Sequence, residues 1–406
     1  MGSSTNPCQN STITLQEQEH PRSPGAQRDM ATPRLPMPMG LFTLPPELLL
    51  LICRLLCSVD VACLSLCNHR SLQLLGDRLA NPNFKIDKAN NHSRKREILL
   101  TRLSKDNPHF YYCHFCSHLH HWDRVPLPGP AFHPNKPALR CLQNTDHIPL
   151  LEATRVHKNF SYYKFYYHHL QLAMRRAFYG DKYGISTRAL QFTEIQTTLD
   201  SDMITLLAVE ARIIKSPTPS LGLRIQNMIA IKRSEIALLD SSKIGFLGIC
   251  GHLDMTRNLL PTLIAETVKT YLNKPAENQC QIKIKICAAC HTDYKLEIKE
   301  YGTECLALVI TKWLDLGSGH RFNDPKWKAH VHYNCEVREV GPRREAGRTR
   351  MYFETALGGT VSETLATAMN LCWLWNRNFT GRTGIMKWGD SAWISQPNSP
   401  EGFLYQ

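Results

Sequence analysis

The chain has 406 residues, 43% of them hydrophobic and 20% charged, which excludes wholesale disorder and leaves room for about two or three domains with a real core. Its formal net charge of +13 calls for either an anionic partner or solvated basic loops, and no stretch reaches the ~18 uncharged apolar residues that a membrane-spanning helix needs. Fifteen cysteines in a chain that opens without an apolar secretory segment point to buried thiols or metal ligands in a reducing compartment, cytoplasmic or nuclear, and not to a disulfide framework.

In chain order, residues 1–42 read as a disordered arm rich in Ser, Thr, Gln and Pro. Residues 43–80 then form a cassette of three short helices. Pro45 and Pro46 suit a helix's first turn, where a missing N–H costs nothing, and Glu47 suits the positive end of its dipole. Leu48, Ile52, Leu55 and Leu56 follow at i, i+4, i+7 and i+8, one apolar stripe. Asp60 is placed to N-cap a second helix carrying Val61, Leu64 and Cys67, and a third segment aligns Leu72, Leu75 and Leu79. Helices this short cannot bury such faces among themselves, so something else must cover them.

The run Leu44-Pro45-Pro46-Glu47-Leu48, with Ile52, Leu56, Asp60 and Leu64-Ser65-Leu66-Cys67, resembles the F-box, the motif that docks a substrate receptor onto the adaptor Skp1 in cullin-based ubiquitin ligases. The order of parts, F-box first and scattered CxxC pairs after it, is similar to that of a large group of filamentous-fungal F-box proteins. The resemblance implies a non-catalytic adaptor that lays Leu44, Pro45, Leu48, Ile52, Leu56 and Leu64 against Skp1 and presents an unidentified protein substrate. It covers about a tenth of the chain.

Residues 81–385 read as an α+β body with a mainly antiparallel sheet, and 386–406 as a tail. Helices are expected over 94–103, 168–179, 256–272 and 361–375. Strands are expected over 191–198, 203–214, 221–231, 281–286, 294–298 and 305–313. Tyrosines 162, 163, 166 and 167 precede Leu170 and Met174 at helical spacing, so core packing explains them better than a platform for bases. Residues 111–148 carry five prolines and little periodicity; a loop that long needs something to order it.

A metal would supply that order. Cys113 and Cys116 can grip one ion from a tight turn, with Cys141 and His120 completing the set, and His114, His118, His121 and His133 as alternates. A second pair, Cys287 and Cys290, lies at the turn between two alternating strands, with Cys250 and His252 as partners and Cys305, Cys335 and His291 as alternates. The donor types favour structural Zn²⁺; buried apolar thiols are the plain alternative, and one shared site using both pairs is a third. The ligands are too dispersed for a RING, and neither pair sits in the βαβ context of a thioredoxin-like redox site. No GxSxG, P-loop, GxGxxG or HExxH motif appears, so no catalytic reading has a motif behind it. His157, His168, His169, His330 and His332 lack evident partners and read as structural. Basic clusters at Arg94-Lys95-Arg96 with Arg102 and Lys105, and at Arg343-Arg344 with Arg348 and Arg350, keep a nucleic-acid- or chromatin-associated zinc protein as the rival reading.

Overall fold

The computed structural model describes residues 40–78, 94–128, 139, 141, 147–148, 163–197, 204–215, 218–234, 249–254, 259–273, 284–287, 289–290, 292–301, 305–331 and 345–355. The expected arm before residue 40, the helix expected over 361–375 and the tail lie outside them. The chain divides into two compact units, the first ending at Leu55 and the second beginning at Leu56.

In the first unit a 3-10 turn, Leu41–Thr43, leads into helix α1, Pro46–Leu55. Glu47 stands in its first turn and Arg54 in its last, each matched to the dipole. Leu49 and Cys53, one turn apart, are buried, while Leu48, Leu51 and Leu55 are 48%, 57% and 82% exposed. The stripe anticipated from the sequence therefore stands in solvent at Leu48 and Leu55, with Ile52 half-buried, and Leu56 falls beyond the helix end.

The second unit opens with α2, Ser58–Leu66, and α3, His69–Leu75. Asp60 is not the N-cap of α2. That role falls to Cys57, whose sulfur accepts from the Asp60 backbone N–H while its thiol donates to the Asp60 carboxylate. The pair satisfies itself reciprocally, as in a capping box, which is why an acidic residue three positions on misleads a reading by residue type. Asn68 caps α3 by accepting from the Ser71 N–H at 2.8 Å. Helix α4, Arg94–Asp106, packs Leu99 against Val59 and Ala62 of α2, and its Arg102 pairs with Asp60.

The segment expected to be a bare loop contains an antiparallel hairpin, β1 (Phe110–Cys113) and β2 (His118–His121), followed by a 3-10 turn at Trp122–Arg124. Strands of four residues are too short to show alternation, so the sequence conceals them. A two-residue ladder, β3 (His147–Ile148) with β4 (Phe165–Tyr166), precedes α5, Tyr167–Tyr179. Tyr163, Tyr167, Leu170 and Met174 are buried in the core, as their spacing implied, but Tyr166 is half-buried and Phe178, next at the same spacing, is exposed. Gly180 ends α5 at φ +101°, a conformation that favours glycine.

Strands β5 (Phe192–Thr197), β6 (Ile204–Ile214), β7 (Ser220–Lys232), β8 (Lys285–Ile286), β9 (Asp293–Tyr301) and β10 (Cys305–Asp315) form one antiparallel sheet in the order β5-β6-β7-β10-β9-β8. Central β7 is buried almost throughout, on both faces, so its sequence alternates only in part. On one face Leu221, Leu223 and Ile225 of β7, Val209 of β6 and Leu314 of β10 join the core under α5. Further along that face Ile229, Ile231, Leu306 and Leu308 meet α7, Leu259–Leu272, through Ile264. Helix α6, Gly251–Asp254, precedes α7, and α8, Pro325–Val331, places Trp327 in the α5 core.

On the opposite face lies α9, Arg348–Thr355. The buried Asp293 carboxylate accepts from the Gly347 and Arg350 N–H groups at 2.9 Å each, capping α9 from a strand. Beneath it Arg224 is paired with Glu210 and Glu354, and Trp313 Nε1 donates to Glu354. Gly222 is required there: a Cβ would lie 2.7 Å from Ile214 Cδ1 and 2.9 Å from Phe353 Cδ2. The architecture is α+β, three helices followed by a mainly antiparallel body. Among the described residues, no helix is long and apolar enough to cross a membrane.

Candidate metal centres

The β1–β2 hairpin turns tightly enough to set two cysteines side by side. Ser117 N–H donates to the Cys113 carbonyl at 2.9 Å, and Ser117 itself takes φ +53°, a left-handed conformation uncommon outside glycine. Register then places His120 opposite Tyr111 on β2, with its Nε2 2.9 Å from Cys116 Sγ and 3.6 Å from Cys141 Sγ. The donor atoms of Cys113, Cys116, His120 and Cys141 all lie within 4.8 Å of one another.

A second group has the same composition. Cys250 and His252 sit at the entrance to α6, where Leu253 N–H returns to the Cys250 carbonyl at 3.1 Å. Cys287 and Cys290 occupy the connection from β8 to β9, closed by Cys287 N–H donating to Thr292 O at 3.0 Å. These four donors also lie within 4.8 Å of one another. Around them pack Leu253, Ala289 and Ala329, and the centre is the more enclosed of the two.

The fit to a tetrahedral ion can be tested on the distances. Ligand bonds of about 2.3 Å to sulfur and 2.0–2.1 Å to nitrogen place two tetrahedral donors about 3.5–3.8 Å apart. A cluster whose donors all fall within 4.8 Å needs only small side-chain adjustments to reach that geometry. The electrostatics agree. Cys116 is held far below the usual thiol range by hydrogen bonds from Cys113, Cys141 and His120, while bonding to the Cys116 thiolate and burial push Cys113 far above it. Bonds to the same sulfurs raise His120 to about 9. In the second centre Cys290 is the stabilised thiolate, Cys250 is pushed far up by its bonds to Cys287 and Cys290, and His252 rises to about 10. Each cluster concentrates positive protons around a thiolate, which is the work a dication does better by displacing them.

Both groups of four expected from the sequence are thus brought together, as two clusters and not as one shared site. The alternates point elsewhere: His114 faces Glu97 at 3.6 Å, His121 faces Asp123, and His118 turns to the Cys116 carbonyl. His133, His291 and Cys335 lie outside the described residues, and Cys305 begins β10.

Two of the histidines read as structural lie beside the clusters. His168 Nε2 lies 3.3 Å from Cys113 Sγ, and His330 on α8 is buried and lowers the Cys290 thiol. No spacing rule could have found them, because 55 residues separate His168 from its cysteine. His169 does match the structural reading: Nε2 meets the Pro126 carbonyl at 2.8 Å and Nδ1 accepts from the Tyr166 N–H at 3.0 Å. No protein-family model, no curated protein and no solved structure matches this chain.

Proposed function

We propose that this chain is an F-box-type substrate receptor, a non-catalytic subunit that binds a Skp1-like adaptor and presents a zinc-stapled α+β body to a protein substrate. The observation that carries the adaptor half is the inverted burial of α1. Its turn-spaced pair Leu49 and Cys53 is buried, yet Leu48, Leu51 and Leu55 stand in solvent on the same ten-residue helix. With Leu50, four of the ten residues of α1 are exposed leucines, more than the single scattered apolar residues of an ordinary monomer surface. In the second unit, taken by itself, Leu56, Leu66 and Leu72 are also exposed. The Leu44-Pro45-Pro46-Glu47-Leu48 opening supplies the identity of the partner by resemblance.

Zinc is the ion that a three-thiolate, one-imidazole set suits best, and a set of four protein donors leaves no open position for substrate chemistry. The ions would hold loops together, in keeping with the receptor role.

The test is co-purification. Full-length protein expressed with Skp1 should yield a 1:1 complex carrying two zinc ions per chain, and Leu48→Asp should lose the adaptor while keeping the metal. Equal recovery of Skp1 by both proteins would refute the docking role of α1. Binding to DNA or RNA that weakens steeply with salt, without adaptor binding, would instead favour a nucleic-acid role.

A further inference from the structure

Within the first centre the net charge has to be accounted for. Three thiolates and a neutral imidazole around a dication sum to minus one, and Cys113 is fully buried. Negative charge in such a place is costly unless hydrogen bonds spread it. His168 stands where such a donor would be.

We propose that His168 is an outer-shell donor to the first metal centre, its Nε2–H donating to the Cys113 thiolate and tying that ligand to helix α5. The inference rests on the metal reading above. The 3.3 Å separation suits an N–H···S bond, and His168 is itself fully buried. Its ring is fixed on both sides: it stacks on Phe115 at 5.1 Å and 26°, and meets Tyr111 edge-on at 5.7 Å and 88°. Phe115 lies inside the Cys113–Cys116 turn, so the turn clamps the residue that supports it. The tautomer follows from the partners. Nδ1 has no hydrogen-bond partner among the described residues, and a neutral imidazole places its one proton where an acceptor waits, on Nε2. Direct ligation is not needed, because four mutually close donors already complete a tetrahedron and His168 stands outside that set.

Two variants separate hydrogen bonding from packing. Gln and Met are nearly isosteric, both forfeit the ring contacts with Phe115 and Tyr111, and only Gln keeps an N–H. The purified full chain, alone or with its adaptor, is treated with excess colorimetric chelator and zinc release is followed in time. Wild type should release two equivalents in two phases. His168→Met should accelerate one phase 10–100-fold, the usual range for loss of an outer-shell partner. His168→Gln should leave that phase near the wild-type rate, and the other phase should be unchanged in both. With Co²⁺ in place of zinc, His168→Met should retain the tetrahedral visible bands while its sulfur-to-cobalt charge-transfer band moves to lower energy. Equal release rates in the two variants, or loss of that metal from both, overturns the proposal. Loss of the tetrahedral bands in the Met variant would make His168 a ligand and overturn it as well. Wild type that holds no metal would refute the metal reading itself, a result distinct from these.

Discussion

The adaptor reading makes its sharpest claim at Leu51 and Leu55. They are 57% and 82% exposed, so together about 1.4 leucine side chains' worth of surface remains available for burial against a partner. At about 1.5–3 kcal/mol for each fully buried leucine, docking both would contribute about 2–4 kcal/mol. The double variant Leu51→Ser/Leu55→Ser should therefore weaken adaptor affinity about 30- to 1,000-fold, since 1.4 kcal/mol is tenfold. Folding stability should change little, because neither residue is a core residue. Leu49→Ser is the control with the opposite signature. Leu49 is 2% exposed, and its truncation should destabilise the fold by about 2–5 kcal/mol. Titration calorimetry with purified Skp1 measures the first effect, and urea unfolding monitored by circular dichroism measures the second. An unchanged dissociation constant in the double variant, with wild type binding normally, would refute the assignment of this face to docking. A loss of stability equal to that of Leu49→Ser would show that the two leucines belong to the core after all.

Three further outcomes are expected. Arg175 is buried and donates to Ser104 Oγ, Ser104 O and Phe110 O at 2.7–2.9 Å, joining α5 to the end of α4 and the start of β1. Arg175→Met leaves those acceptors without a donor and should cost about 3–5 kcal/mol of unfolding free energy, read from the shift in denaturant midpoint at constant m-value; a change under about 1 kcal/mol would contradict the accounting. Burial holds His169 down to about 4 from its usual 6.5, so between those values the unfolded chain binds a proton that the folded chain refuses. Stability is then full above pH 6.5 and falls by up to about 3 kcal/mol as pH drops towards 4, and His169→Gln should flatten that slope; parallel slopes would refute it. Gly184 takes an extended conformation, and a Cβ there would lie 2.1 Å from the Leu172 carbonyl oxygen, so Gly184→Ala should lower the melting temperature by several degrees; no change in a thermal scan would show that α5 can yield.

Much of this protein is legible in its amino acids. The long strands of the sheet announce themselves by β-branched runs and alternation, and α4 and α5 by apolar residues at turn spacing, because each element's burial repeats with its own local period. The two Cys/His clusters were legible in part: two thiols separated by two residues are pre-positioned by one turn, while the choice among the remaining donors stayed open until the fold brought four of each set together. What local pattern could not supply is anything set by residues far apart in the chain. The capping of α2 by Cys57 depends on a thiol reaching Asp60 in three dimensions, and the hairpin carrying Cys113 and His120 is too short for a period. Most of all, the sequence leaves His168 and His330 as unremarkable members of helices. Only the packing of α5 turns His168 towards Cys113, because a hydrogen bond across 55 residues is decided by how helices seat on a sheet and not by any spacing along the chain.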